Sequence, residues 1–180
     1  MKCPSCKSSS LDWLNLEPEL PARGCSSCEG AWIARVSYDA WRAKQAGDAP
    51  AKPARAEIDV TDVRHAKLCP QCSQLMQKYH VSHDLAFYLD YCPSCGGMWL
   101  DRNEWAALRA QNLHDNLHQM VSRQWQADIQ RQSVKNTVED MFRQRLGDAA
   151  YRRTADFRSW LASHDKKSLI LAYLSDLDQA

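Results

Sequence analysis

A small, metal-bound α+β fold, two tandem ribbons followed by an all-α region, is what three features of this sequence predict. Eight cysteines fall in two similarly spaced sets of four. All seven prolines lie between Pro4 and Pro93, and five of the six glycines precede Met98. Beyond Met98 apolar residues recur every three to five positions, the spacing of helices. A turn-rich first half and a helical second half follow from that partition.

The first half is an internal repeat. Cys3-Pro4-Ser5-Cys6 matches Cys69-Pro70-Gln71-Cys72 at an offset of 66 residues, and Cys25 through Ile33 matches Cys92 through Leu100 at 67. Residues 46–66 between the copies read as a linker, with Pro, Ala and Gly concentrated from Ala46 to Arg55 and a short extended piece at Ile58–Val63. The expected organisation is a first ribbon over 1–45, the linker, a second ribbon over 67–110 and a helical region over 111–180.

Each copy should contain a hairpin and a short helix. Gln74–Val81 and Leu85–Tyr91 are rich in aromatic and branched residues and flank the turn Ser82-His83-Asp84. In the first copy Leu11–Leu16 and Ala22–Gly24 flank a less regular turn at 17–21. Asp101 with Glu104 three residues later predicts a capping box, and Ser37 a helix start ending near Gly47. Trp32 and Trp99 hold matched places past the cysteines, as if to pack each cysteine turn on its own hairpin.

In the second half the apolar pattern predicts one long helix from Arg102 to Leu146, with a possible break at 112–116. Gly147 should cap it. A helical hairpin follows, its first helix ending near Ser163 and burying Tyr151, Phe157, Trp160 and Leu161, its second beginning at Asp165.

The cysteines carry the chemistry. Each set is C-x2-C, then 18 or 19 residues, then C-x2-C. A two-residue gap lets one tight turn aim two sulfurs at a single tetrahedral ion, and the longer spacing lets a hairpin bring the second turn opposite the first. The N-terminus lacks the apolar run of a secretory signal, so the expected compartment is the cytoplasm, where thiols stay reduced and metal outranks disulfides. The expected cofactor is two structural Zn²⁺, one on Cys3, Cys6, Cys25 and Cys28, the other on Cys69, Cys72, Cys92 and Cys95. Four-cysteine sites are closed to substrate.

The run Cys-Pro-x-Cys, hairpin, then Cys-Pro-x-Cys-Gly-Gly-x-Trp-Leu-Asp-Arg-x-Glu over Cys69–Glu104 resembles the bacterial transcription-factor-IIB-type zinc-ribbon family. The likeness is looser from Cys3 to Trp41, where Ser26, Glu29 and Ala34 replace Pro, Gly and Asp. It implies a ribbon that contacts transcription machinery. The first ribbon is expected to give up its metal more readily.

Charge bears on partners. The formal net charge of +1 counts cysteines as neutral; two sites at −2 each bring the metal-loaded chain to −3. That argues against a phosphate-backbone binder and for a protein partner, with self-association through the helices as a further expectation. The one basic stretch, Arg131–Arg158, nets +3 and would serve a nucleic-acid alternative. His114 and His118, four apart, are a weak candidate for a second metal. No stretch is long and apolar enough to span a membrane, and no nucleophile–base signature marks an enzyme; no catalytic residue is expected.

Overall fold

The computed structural model describes residues 1–7, 10–45 and 58–176. The proline- and alanine-rich core of the expected linker lies outside the described residues. The chain divides into two compact units, Met1–Gln130 and Arg131–Ala180.

In the first unit each repeat contributes three strands, β1 (Asp12–Glu17), β2 (Leu20–Gly24) and β3 (Ala31–Ile33), then β4 (Gln77–His80), β5 (Tyr88–Tyr91) and β6 (Met98–Leu100). They form one antiparallel sheet in the order β1-β2-β3-β6-β5-β4. The repeats that the sequence separates by a linker therefore share a sheet, joined where Ala31, Trp32 and Ile33 pair with Leu100, Trp99 and Met98. This seam is symmetric about the Trp32–Trp99 pair.

Glycine makes the seam possible. A Cβ on Gly30 would sit 2.2 Å from the Trp99 ring, and one on Gly97 would sit 2.7 Å from the Trp32 ring. Each indole thus lies over the other repeat's cysteine turn, not its own. The expectation for Trp32 and Trp99 is corrected in this respect, because direct pairing of β3 with β6 puts each ring across the seam.

One face of the sheet carries the main core. Ala22, Ile33, Met98, Leu100 and Leu89 pack against Tyr38 and Trp41 of α1 (Arg35–Lys44) and Trp105 and Leu108 of α2 (Glu104–Ala110). α1 begins at Arg35 with Ala34 extended before it and no side-chain cap, so Ser37 sits inside the first turn and does not start the helix.

The expected long helix is interrupted. Asn112 adopts φ 54°, ending α2 as a left-handed residue beyond the C-cap, a position where Asn is tolerated. A 3-10 turn (His114–Asn116) and the short α3 (Leu117–Met120) follow before α4 (Arg123–Leu146). Tyr38 holds this detour in place: its hydroxyl donates to the His114 carbonyl at 2.8 Å and accepts from the Leu117 amide at 3.1 Å. The gain is burial, since Leu117 and Met120 reach the core only because the chain bends back.

The second unit comprises the end of α4, α5 (Asp148–Ala162) and α6 (Lys167–Ser175). Gly147, at φ 74°, separates α4 from α5 as expected. Arg158 donates to Glu139 at 3.2 Å, drawing α5 back along α4. No residue from 131 to 176 is buried, however. Phe157 and Trp160, expected in a core, are 38% and 50% exposed. Their rings stack locally instead, 5.4 Å apart. None of the described helices is long and apolar enough to cross a membrane.

Candidate metal centres

Every C-x2-C turn is built alike. The residue after its second cysteine is left-handed: Lys7 at φ 58°, Glu29 at 59°, Ser73 at 60° and Gly96 at 70°. In three of the four the leading cysteine accepts from the amide of this residue and donates to the carbonyl of the next, at 2.8 to 2.9 Å, as Cys92 does with Gly96 and Gly97. That conformation is free for glycine and costs roughly 1–2 kcal/mol for another residue. Glu29 bears this cost where the second ribbon has Gly96.

Replacing Glu29 by glycine should therefore stabilise the first ribbon. The Glu29–Arg102 pair that would be lost is exposed on both sides and contributes little. A gain of about 0.5–1 kcal/mol is expected after the added freedom of the unfolded chain is subtracted. Slower zinc transfer from Glu29→Gly to a chromogenic chelator would show it, and unchanged kinetics would contradict it.

The turns bring the cysteines together in the sequential pairing. The sulfurs of Cys3, Cys6, Cys25 and Cys28 lie within 4.8 Å of one another, and so do those of Cys69, Cys72, Cys92 and Cys95. Cys3–Cys28 and Cys6–Cys25 are 3.5 Å apart; Cys69–Cys95 and Cys72–Cys92 are 3.6 and 3.4 Å apart. Four sulfurs at ~2.3 Å from a tetrahedral ion stand roughly 3.8 Å apart, so both sets fit zinc, and all eight cysteines are free of disulfides.

Several of the thiols resist ionisation without a metal. Burial pushes Cys3, Cys28 and Cys69 up and takes Cys95 to about 12, while the Gln74 backbone amide draws Cys72 down to about 7. A dication supplies the missing charge and displaces the protons.

Behind the second site lies a buried ionic network that the sequence pattern did not reveal. Lys67, fully buried, donates to Asp90 at 2.6 Å, to Asp101 at 2.9 Å and to the Val63 carbonyl at 2.8 Å. Asp101 accepts four hydrogen bonds: from the Ser5 hydroxyl (2.7 Å) and Trp99 indole (2.7 Å) on one oxygen, and from the Val63 amide (2.9 Å) and Lys67 on the other. Burial works against its charge, but these donors and Lys67 hold it below the usual carboxylate range. Only half of the predicted capping box forms: Glu104 accepts from the Asp101 amide at 2.8 Å, and the Asp101 side chain is used elsewhere.

Glu104 itself is buried, and its other oxygen has no hydrogen-bond partner. Burial first, and then the charges of Asp101 and Asp62, push its carboxyl up to about 9. Below about pH 4.5 the carboxyl is protonated folded or unfolded, and pH makes no difference through it. Between there and about pH 9 the unfolded chain releases the proton while the folded one keeps it, so this group weakens the fold as pH rises. Glu104→Gln keeps an oxygen for the Asp101 amide and removes that dependence. Its stability advantage over the wild type should grow by up to about 1.4 kcal/mol per pH unit across the window. Denaturant titrations at pH 5 and pH 8 check this; a constant difference would refute it.

Asp62, Asp101 and Glu104 also converge within 4.8 Å. With Asp101 already accepting four hydrogen bonds and Lys67 among these carboxylates, they make a poor cation site. The histidine pair does not converge on a metal position. His114 lies in the 3-10 turn with its ring against Trp41 and Trp105, and His118, in α3, pairs with Asp39. Burial lowers the pKa of His114.

Comparison with known proteins agrees with this geometry. The family model for the transcription factor zinc-finger, the TFIIB-type zinc ribbon, matches residues 68–110. No curated protein and no solved structure matches the chain. Residues 68–110 thus match a zinc ribbon of the TFIIB type, and the four-cysteine cluster at 3–28 is consistent with a second ribbon in tandem with it.

Proposed function

We propose that this chain is a non-enzymatic, cytoplasmic zinc protein whose welded ribbons form a rigid platform and whose helical unit docks a protein partner. The observation that carries this reading is the helical unit. Among its described residues none is buried, yet Leu169, Leu171, Tyr173 and Leu174 of α6 are 40 to 72% exposed. Apolar surface on that scale, with no core beneath it, is characteristic of segments covered by another chain. Closed four-cysteine sites support the non-enzymatic part, because they leave no coordination position for substrate. A link to transcription machinery rests on the family alone, and fold does not determine function.

The test is affinity purification from native lysate with the zinc-loaded chain against Leu169→Glu/Tyr173→Glu. These residues stand one turn apart and are 67% and 72% exposed, so zinc content should stay at two per chain. A protein retained by the parent and lost by the variant is the expected result. Retention of a nuclease-sensitive species through the Arg131–Arg158 stretch would favour nucleic acid instead. The expected charge of −3 weighs against that outcome, and two of those arginines, Arg143 and Arg158, are already paired with Asp148 and Glu139.

A further inference from the structure

α6 is an apolar helix held between opposite charges. Its N-cap Lys166 and first residue Lys167 stand at one end, its C-cap Asp176 at the other, and no charged residue lies between. Asp165 falls outside the helix. Charges placed this way oppose the helix dipole, which favours anions at the first turn and cations at the last. Lys166, Lys167 and Asp176 are all exposed, and among the described residues none of them has an ion-pair partner. The helix thus carries charges that its own unit leaves unanswered.

Their spacing shows what would answer them. Lys166, Leu169, Tyr173 and Asp176 follow one another at intervals of three, four and three residues, so they form one stripe along the helix. Leu169 and Tyr173, in the middle of the stripe, are strongly exposed, and Ile170 and Ala172 flank them. Position 171 is midway between Lys166 and Asp176, and also midway between Leu169 and Tyr173. A second α6 laid antiparallel on the stripe therefore sets Leu169 of one copy against Tyr173 of the other, and Lys166 against Asp176. A two-fold axis then makes each pair twice. Each lysine also reaches the carboxyl end of the facing helix, where the dipole favours a cation. Parallel pairing would set lysine on lysine and aspartate on aspartate.

We infer that the partner docked by α6 is a second copy of this chain, seated antiparallel with Lys166 of each copy on Asp176 of the other. This rests on the reading of α6 as a docking helix and names its occupant. Two helices of nine residues cover far less than the roughly 1,200 Å² of a standard interface, so the dimer belongs to the weak class, with a dissociation constant on the order of 10–100 µM.

Sedimentation velocity of the zinc-loaded full chain tests this. The parent should pass from monomer to dimer between about 1 and 300 µM. Lys166→Asp alone and Asp176→Lys alone should each weaken the dimer at least about tenfold, because like charges then meet. Both changes suit the dipole of the single helix better than the native residues, so zinc content and circular dichroism should hold. The two variants mixed in equal amounts should associate as the parent does, since each supplies the charge that the other lacks. The double variant, with both charges exchanged, should do the same. A chain that stays monomeric throughout, single variants that associate at parental strength, or a mixture no better than its components would overturn the inference. In that event a different protein retained by the parent and lost from Leu169→Glu/Tyr173→Glu would leave the docking role of α6 standing, and its absence would end both.

Discussion

Changing Cys92 and Cys95 to serine should empty both zinc sites, not one. The sequence presents two sites 67 residues apart, but cysteines of both belong to a single buried cluster with Leu11, Met76, Trp32 and Trp99. Further ties cross between the repeats. Ser5, between two ligands of the first site, donates to Asp101 of the second repeat. Glu17 of β1 accepts from Trp105 at 2.9 Å and pairs with Arg109 at 2.7 Å, both on α2. Structural zinc contributes about 10–16 kcal/mol to folding in small ribbons, as much as a whole domain's typical net stability of roughly 5–15 kcal/mol. Once the second zinc is gone, β6 loses the cysteine turn that anchors its start, and β3 loses the support of its neighbour with it. Zinc per chain, measured by elemental analysis, should fall from two to well under one, and the near-ultraviolet dichroism of the tryptophans should collapse. A variant that keeps one zinc and its tryptophan signal would show that the ribbons fold independently. Cys25→Ser/Cys28→Ser is the reciprocal test and should give the same outcome.

What could be read from the sequence was what depends on near neighbours. The C-x2-C turns, the hairpins and the stops at Asn112 and Gly147 are set by residues within a few positions, and the duplicated spacing identified both four-cysteine sets. The β3–β6 seam was not legible. It pairs residues 65 to 69 apart, and its enabling feature is the empty space at Gly30 and Gly97, which in sequence look like ordinary turn glycines. For the same reason the sequence shows Trp32 and Trp99 as a matched pair but not that each packs across the seam. Lys67 is illegible because lysine is rarely buried, and nothing in Ala66-Lys67-Leu68 marks it as an exception. The spacing of Asp101 to Glu104 predicts a helix cap, a local rule overridden by four donors, three of them from distant parts of the chain. For α5 and α6 the helical period was right, but period alone says that a face is apolar and not what covers it.

Lys67→Met should be the most damaging substitution outside the cysteines. Methionine matches the length of the lysine stem and fills the same space, so the loss is almost purely that of the ammonium. Three buried acceptors then lose their shortest cationic contact together: one oxygen each of Asp90 and Asp101, and the Val63 carbonyl. Lys78 still reaches Asp90 at 3.2 Å and the Val63 carbonyl at 3.1 Å, but it is partly exposed, and Asp101 keeps only neutral donors. Burial alone would lower the pKa of Lys67, yet Asp90 and Asp101 raise it above the ordinary lysine value. Breaking a buried pair by removing one partner costs about 3–5 kcal/mol, because the remaining charge stays desolvated. Adding Asp90→Asn to Lys67→Met should therefore recover part of the loss, whereas two independent defects would simply add. Hydrogen exchange supplies a local readout: the amides of Thr61 and Val63, held on Arg102 and Asp101, should lose protection before the strands do. A loss below about 1 kcal/mol, or a double variant no better than the sum of its parts, would mean that the segment is held by its backbone bonds and that Lys67 merely fills space.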